Sequence, residues 1–397
     1  MLRRFSGLTG LLALALILAA CGAATPAAQA PTVAAVATAA AELAPTVAAV
    51  VPTVAAAAAT AAPAATAAPA ATAAPAATAA PAEVAQDRTG WPATFRVGLF
   101  AGDDANVALA LNQPFADLLT EELGIPVELT TGTSYSAVIE AMRAGRVDAM
   151  EVGPFAYVLA VQEAGAEALA LATYPANEEN KVFDENAPNG YYSVYITKKG
   201  SGIATVEDLK GKTFAFVDPA STSGHLAPKT GLIKAGINPD TDMQTVFAGS
   251  HPTAVLSVWN DNTEAGATFE GNLYRLAREG QIDFCGFEDE LTGKQRSAEE
   301  IKALYDACPD GSIVMVGYSD LIPNTPFAVS SKLPESFKVA VREVLLKVKD
   351  NPELISAFGQ WYVDPTEELG LETLDQNFNS LRDIAKLLEL DLKELGG

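Results

Sequence analysis

Histidine is nearly missing from this chain. Only His225 and His251 occur in 397 residues. Cysteine is almost as scarce, with Cys21, Cys285 and Cys308, and no Cys-x-x-Cys pair exists. So thin a supply excludes a Cys/His zinc constellation, and no metal or organic cofactor is expected. Positive charge is also short: 26 lysines and arginines face 49 aspartates and glutamates, for a net charge of −23. Nucleic acid is excluded as a partner because it demands basic stripes, and an anionic lipid surface would repel such a chain. Two catalytic signatures are missing as well, the Gly-x-x-x-x-Gly-Lys-Ser/Thr phosphate loop and the Gly-x-Ser-x-Gly elbow.

Alanine, proline and threonine are what the first part of the chain has in excess. Arg3 and Arg4 precede an apolar run, residues 8–20, too short for a comfortable membrane span. Residues 1–21 therefore read as a targeting segment. It ends in Leu18-Ala19-Ala20-Cys21-Gly22, which resembles the lipobox of bacterial lipoproteins. The resemblance implies cleavage before Cys21 and a lipid on it; an ordinary signal peptide with an incidental cysteine is the alternative. Residues 22–88 hold too little to bury for a core. Over residues 59–82 the hexad Ala-Thr-Ala-Ala-Pro-Ala repeats four times, with Pro63, Pro69, Pro75 and Pro81 in register. Proline at that spacing stops alanine from forming helix, which predicts a semi-extended tether with a reach of at most roughly 200 Å. With Cys21 set aside, Cys285 and Cys308 form an even pair. In an exported chain a disulfide between them is expected, and two unrelated thiols are the alternative.

From about Gly90 onward, short apolar strands alternate with helical patterns in two successive runs. Such alternation predicts an α/β fold of mainly parallel sheets flanked by helices, and the length fits two lobes. Residues 281–311 are charged, contain several glycines and lie around the two cysteines, so they read as a loop-like insertion.

One turn stands out. The β-like run 213–217 leads into Asp218-Pro219-Ala220-Ser221-Thr222-Ser223-Gly224, and a helical pattern follows over 225–235. Three hydroxyls thus sit at a helix N-terminus, where unsatisfied N–H groups and a partial positive charge favour anions. Three readings stand: a helix cap with spare hydroxyls, a serine nucleophile, or a passive oxyanion cradle. A second strand-to-helix turn, Gly249-Ser250-His251-Pro252, follows one strand–helix unit later. Turns so related can converge at the carboxyl edge of one sheet, where ligands bind in α/β folds. His251 is therefore a candidate ligand contact, while His225, inside the helix, reads as structural.

These motifs are similar, in order, to those of the phosphate/phosphite/phosphonate-binding proteins of ABC importers. The resemblance rests on residues 217–224 and 247–251 together with Ser134-Tyr135, Gly145-Arg146-Val147-Asp148, Gly153-Pro154-Phe155-Ala156-Tyr157, Tyr191-Tyr192-Ser193, Leu209-Lys210-Gly211-Lys212 and Ile322-Pro323-Asn324. It covers about residues 94–350. It implies a two-lobed periplasmic-binding-protein fold of type II, joined by two crossover strands. The first lobe would be residues 92–193 plus 320–397, and the second 194–319. It also implies that Ser221, Thr222, Ser223 and His251 hold the phosphorus oxyanion and that Tyr135, Tyr157 and Tyr192 line the site. Glu270 would read a ligand's amine, with Asp320 the other acidic candidate.

The expected function is that of an extracytoplasmic, lipid-anchored solute-binding protein. It would take a phosphonate, phosphate or phosphite between its lobes and deliver it to an ABC permease and its ATPase subunits, and a monomer is expected. No residue is assigned a catalytic role. The alternatives are the same fold binding another small anion such as a sulfonate, an extracytoplasmic sensor, and a secreted hydrolase using Ser221 or Ser223 with His251.

Overall fold

The computed structural model describes residues 87–102, 104–175, 181–288 and 294–390. The targeting segment, Cys21 and the alanine–proline repeats lie outside the described residues. Two sheets carry the fold. The first has strands β1 (Phe95–Phe100), β2 (Val127–Gly132), β3 (Ala149–Glu151) and β4 (Ala166–Thr173). The chain then passes through a two-residue strand, β5 (Gly190–Tyr191), into the second sheet. That sheet holds β6 (Ser193–Lys198), β7 (Thr213–Phe216), β8 (Gln244–Phe247), β9 (Ala265–Phe269) and β10 (Ile313–Tyr318). A second short strand, β11 (Ile322–Pro323), returns to the first sheet, which is completed by β12 (Pro326–Ser330) and β13 (Trp361–Val363).

The strand orders are β13-β4-β12-β3-β1-β2 and β10-β6-β9-β7-β8. Most strands of each sheet share one direction, as expected. The exceptions are β12 and β13 in the first sheet and β6 in the second, each running against its neighbours. Both β6 and β12 are the first strand laid down after the chain crosses over. The crossings β5 and β11 pair antiparallel with each other, Ile322 opposite Tyr191 and Pro323 opposite Gly190. Their approach is close: a Cβ on Gly190 would lie 2.6 Å from the Ile322 carbonyl oxygen. Only glycine permits that contact.

Apolar residues on both faces of each sheet explain why the inner strands are buried runs, whereas the edge strand β2 alternates and the edge strand β8 is exposed. Phe95, Phe115, Phe327 and Trp361 pack on one face of the first sheet, and Val138, Met150, Phe155 and Leu159 on the other. The second sheet is covered likewise by Phe214, Leu232 and Val316, and by Val255, Leu273 and Met315.

The insertion differs from the sequence reading. It holds a helix, Ala298–Ala307, opened by a reciprocal cap between Ser297 and Glu300 and buried through Ile301 and Tyr305. Charge on its outer face hid that apolar stripe. Cys285 and Cys308 are bonded to each other across it.

Candidate functional site

Strands β9, β7 and β8 are neighbours and run parallel, so their carboxyl ends lie along one sheet edge. Each is followed by a helix that begins within a few residues. The turn after β7 carries Ser221, Thr222 and Ser223. The turn after β8 carries His251, and the turn after β9 carries Glu270.

The first of these turns is built from backbone constraint. Asp218 accepts the Ala220 N–H at 2.8 Å, and the Ser221 hydroxyl oxygen caps the Gly224 N–H at 3.0 Å. Residues Thr222–Leu226 form one π-helical turn before the α-helix Ala227–Lys234. Such turns widen the helix and recur at functional sites. The turn folds back so tightly that a Cβ on Gly224 would lie 2.3 Å from the Val217 Cβ. All three hydroxyl residues are buried.

The partners of these hydroxyls come from the first sheet. Thr222 Oγ1 accepts the Phe155 N–H at 2.7 Å, at the start of the helix Pro154–Ala164 that follows β3. Tyr135 opens the helix Tyr135–Arg143 after β2, where Ser134 caps the Ala137 N–H. Its backbone N–H favours the charged form of the Asp218 carboxylate, and Ser221 favours that of its hydroxyl. The Tyr135 ring stacks on Phe100 with centroids 4.2 Å apart. Burial pushes the Tyr135 hydroxyl's pKa up, and it also pushes up that of Asp218, against the two N–H groups that favour its charged form. Burial pushes the pKa of Tyr191, from the crossover, up to about 12, opposed by the side chains of Ser223 and Thr222. The Ser193 hydroxyl donates to the Ser223 carbonyl at 2.6 Å.

His251 Nδ1 lies 3.0 Å from Thr268 Oγ1, which also accepts from Asn272 Nδ2 at 3.1 Å. Phe269 meets the imidazole edge-on at 4.9 Å. The ring is thus held in one orientation at its helix N-terminus. Glu270 is buried, and the Tyr318 hydroxyl donates to its Oε1 at 3.4 Å. Arg296, buried in the insertion and stacked over Phe287, acts on the same Tyr318 hydroxyl. Among the described residues no group of His, Cys, Asp and Glu could hold a metal ion, and no helix is long and apolar enough to cross a membrane.

Residues 97–370 match the profile of a family described as ABC transporter, phosphonate, periplasmic substrate-binding protein. The chain belongs to that family. It is 32% identical over 189 residues to the phosphate-import protein PhnD of Mycolicibacterium smegmatis, covering 46% of this chain and 56% of that one. It is 27% identical over 245 residues to the phosphonates-binding periplasmic protein of Escherichia coli, covering 60% and 62%. The matched segment therefore spans less than two thirds of these relatives' lengths. Two solved structures share the fold. One is a binding-protein component of an ABC phosphonate transporter from Pseudomonas aeruginosa, with TM-score 0.54 and 20% identity over 76% of this chain and 95% of that one. The other is PhnD1 from Prochlorococcus marinus in complex with methylphosphonate, with TM-score 0.54 and 15% identity over 75% and 98%.

Not every expected site residue of this phosphonate-family binding protein reaches the hydroxyl turn. Tyr157 does not. Its hydroxyl donates to Asp375 at 2.8 Å and its ring packs on Phe378, so it belongs to the core. Asp320 is exposed and ion-paired with Lys234 on the surface. Tyr192 turns edge-on to Tyr318, with centroids 5.8 Å apart, and it is the neighbouring Tyr191 whose hydroxyl feels Ser223 and Thr222. Asp218 shapes the turn by accepting the Ala220 N–H. His225 is structural, its Nδ1 2.8 Å from the Pro219 carbonyl oxygen.

Proposed function

We propose that this protein is the solute-binding component of an ABC importer. It takes a phosphorus oxyanion (a phosphonate, phosphate or phosphite) between its lobes and delivers it to the permease and its ATPase subunits. The observation that carries the reading is the facing geometry of Ser221, Thr222 and Ser223 with two helix N-termini of the opposite lobe, those beginning at Tyr135 and Pro154. Hydroxyls, backbone N–H groups and helix dipoles directed at one locus suit a tetrahedral anion. In this reading His251 and Tyr135 complete the cradle, Tyr191 takes the role expected of Tyr192, and the lobes are residues 92–193 plus 320–397 and 194–319. Hydrogen bonds to a charged group contribute roughly 1.5–3 kcal/mol each, so four to six of them are enough for micromolar affinity, about 8 kcal/mol, after ordering costs.

Binding rather than hydrolysis is favoured by the histidine. A triad needs its imidazole between a serine and a carboxylate. His251 Nδ1 instead faces the neutral hydroxyl of Thr268, and Ser221 is engaged as a cap. A lipid on Cys21 would hold a monomer at the membrane surface, with the repeat tract as its tether.

Titration calorimetry with phosphate, phosphite, methylphosphonate, sulfate and methanesulfonate tests the reading on wild type and Ser221→Ala. At least one phosphorus oxyanion is expected to bind in the micromolar range or tighter and to lose tenfold or more in the variant. Binding of the sulfonate alone, or of none of the phosphorus ligands, would refute it.

A further inference from the structure

Arginine is almost never fully buried unless it is paired. Arg296 is only 6% exposed, and it is supplied by the insertion. Among the described residues the other buried cation is Lys338, which pairs with Glu167 and Glu335 beside the first sheet. The buried carboxylates among them are Asp218, in the hydroxyl turn, and Glu270, 3% exposed at the end of β9.

The insertion is fastened so as to bring Arg296 toward Glu270. Cys285 is bonded to Cys308, and its N–H donates to the Ile313 carbonyl at 3.0 Å, at the start of β10. Phe284 bridges to Ile313 and meets Tyr274 edge-on, with centroids 5.1 Å apart. The Tyr274 hydroxyl donates to the Phe287 carbonyl, and the Arg296 guanidinium lies over the Phe287 ring, 4.2 Å from its centroid. Tyr274 belongs to the helix Glu270–Arg278 that Glu270 opens, about one turn further on. Tyr318, on β10, meets both charges. Its hydroxyl donates to Glu270 Oε1 at 3.4 Å. Burial and the Glu270 charge push the Tyr318 pKa up, and Arg296 opposes them.

Glu270 is also close to the histidine in the chain and in its supports. Thr268 holds His251 Nδ1, Phe269 meets the imidazole edge-on, and Asn272 donates to Thr268. A carboxylate among these residues repels an anion bound at the same sheet edge. The net charge of −23 elsewhere gives no relief, so the balance must come from a cation placed nearby. We infer that Arg296 is a positioning residue of the oxyanion site: carried on the disulfide-bracketed insertion, it offsets the buried Glu270 charge beside His251 and lets the sheet edge accept a second anion. It acts through Glu270 and Tyr318 rather than on the ligand. This rests on the phosphorus-oxyanion reading and gives the insertion a part in it.

Calorimetry on the full chain tests the inference with phosphate, phosphite and methylphosphonate. It compares wild type with Arg296→Met, Arg296→Lys, Glu270→Gln and the double variant Arg296→Met/Glu270→Gln. At an effective dielectric of about 20, a unit charge about 10 Å from another changes affinity about tenfold. Arg296→Met, which keeps an apolar chain against Phe287, is therefore expected to weaken the tightest of the three ligands about tenfold. Arg296→Lys should recover most of that loss. The double variant, with both charges gone, should return close to wild type, a recovery that a purely structural arginine would not give. Glu270→Gln alone, which leaves the arginine's charge unopposed, should bind at least as tightly as wild type, and this variant decides the matter if Arg296→Met does not fold. Wild-type affinity in Arg296→Met, a double variant as weak as Arg296→Met, or a marked weakening in Glu270→Gln would overturn the role of Arg296 and leave the oxyanion reading standing. A wild type that binds none of the three ligands would sink both.

Discussion

The Thr222 hydroxyl, on the second lobe, accepts the Phe155 N–H of the first lobe at 2.7 Å. One hydrogen bond thus ties a loop of one lobe to a helix N-terminus of the other. Replacing the acceptor without changing shape isolates it. Thr222→Val leaves the Phe155 N–H unsatisfied at a buried position, which costs about 1–3 kcal/mol. Urea denaturation is expected to show that loss, and Thr222→Ser to restore most of it. A Val variant as stable as wild type would show that the contact contributes nothing.

His225 carries a pH dependence. Burial, with Phe216 and Phe247 against its ring, lowers its pKa to about 4 from an ordinary 6.5. The folded state therefore resists protonation that the unfolded chain accepts. The associated stability is present in full above pH 6.5 and is lost as the pH falls from there toward 4. At about 1.4 kcal/mol per pH unit, the loss between pH 7 and pH 4.5 is about 2–3 kcal/mol. Stability measured at those two pH values should differ by that much more in wild type than in His225→Asn.

The Cys285–Cys308 bond closes a loop with a sequence separation of 23 residues. A cross-link of that span stabilises by about 3 kcal/mol through the unfolded chain. The double variant Cys285→Ser/Cys308→Ser should lose that amount. It should also be cleaved faster by trypsin at Lys294 and Arg296, because the loop that buries Arg296 is no longer held. Equal cleavage rates would argue against the bond's restraining role.

Gly190→Ala tests the crossing. The added methyl meets the Ile322 carbonyl oxygen, a backbone atom that cannot rotate aside. Overpacking of this kind costs typically 1–3 kcal/mol. Small-angle scattering should also register a changed lobe arrangement in the variant. A curve superimposing on that of wild type, with unchanged stability, would mean the strands separate without consequence.

Much of the site could be read from the chain because its signals are local. The aromatic run of β7, the Asp218-Pro219 pair and the following hydroxyls specify a strand, a turn and a helix start within a dozen residues. What escaped depends on distant partners. Tyr157 finds Asp375, and Asp320 finds Lys234 across the fold. The break between β5 and β6 resets the two-residue alternation, so the facing of Tyr191 against Tyr192 was undetermined. The insertion helix did leave a trace, in the Ser297-x-x-Glu300 box and the spacing of Ile301, Leu304 and Tyr305.

Strand β12 has a consequence for the birth of the protein. It lies between β3 and β4, at the middle of the first sheet, although more than 150 residues separate it from either in the chain. Ribosomes deliver β1–β4 first, but these strands cannot close into their sheet until residues 326–330 have emerged. The strands of the second sheet come from one continuous stretch, 193–318, with shorter loops to close. Completion therefore runs against synthesis: the middle of the chain can settle early, while its opening strands wait for a segment made near the end.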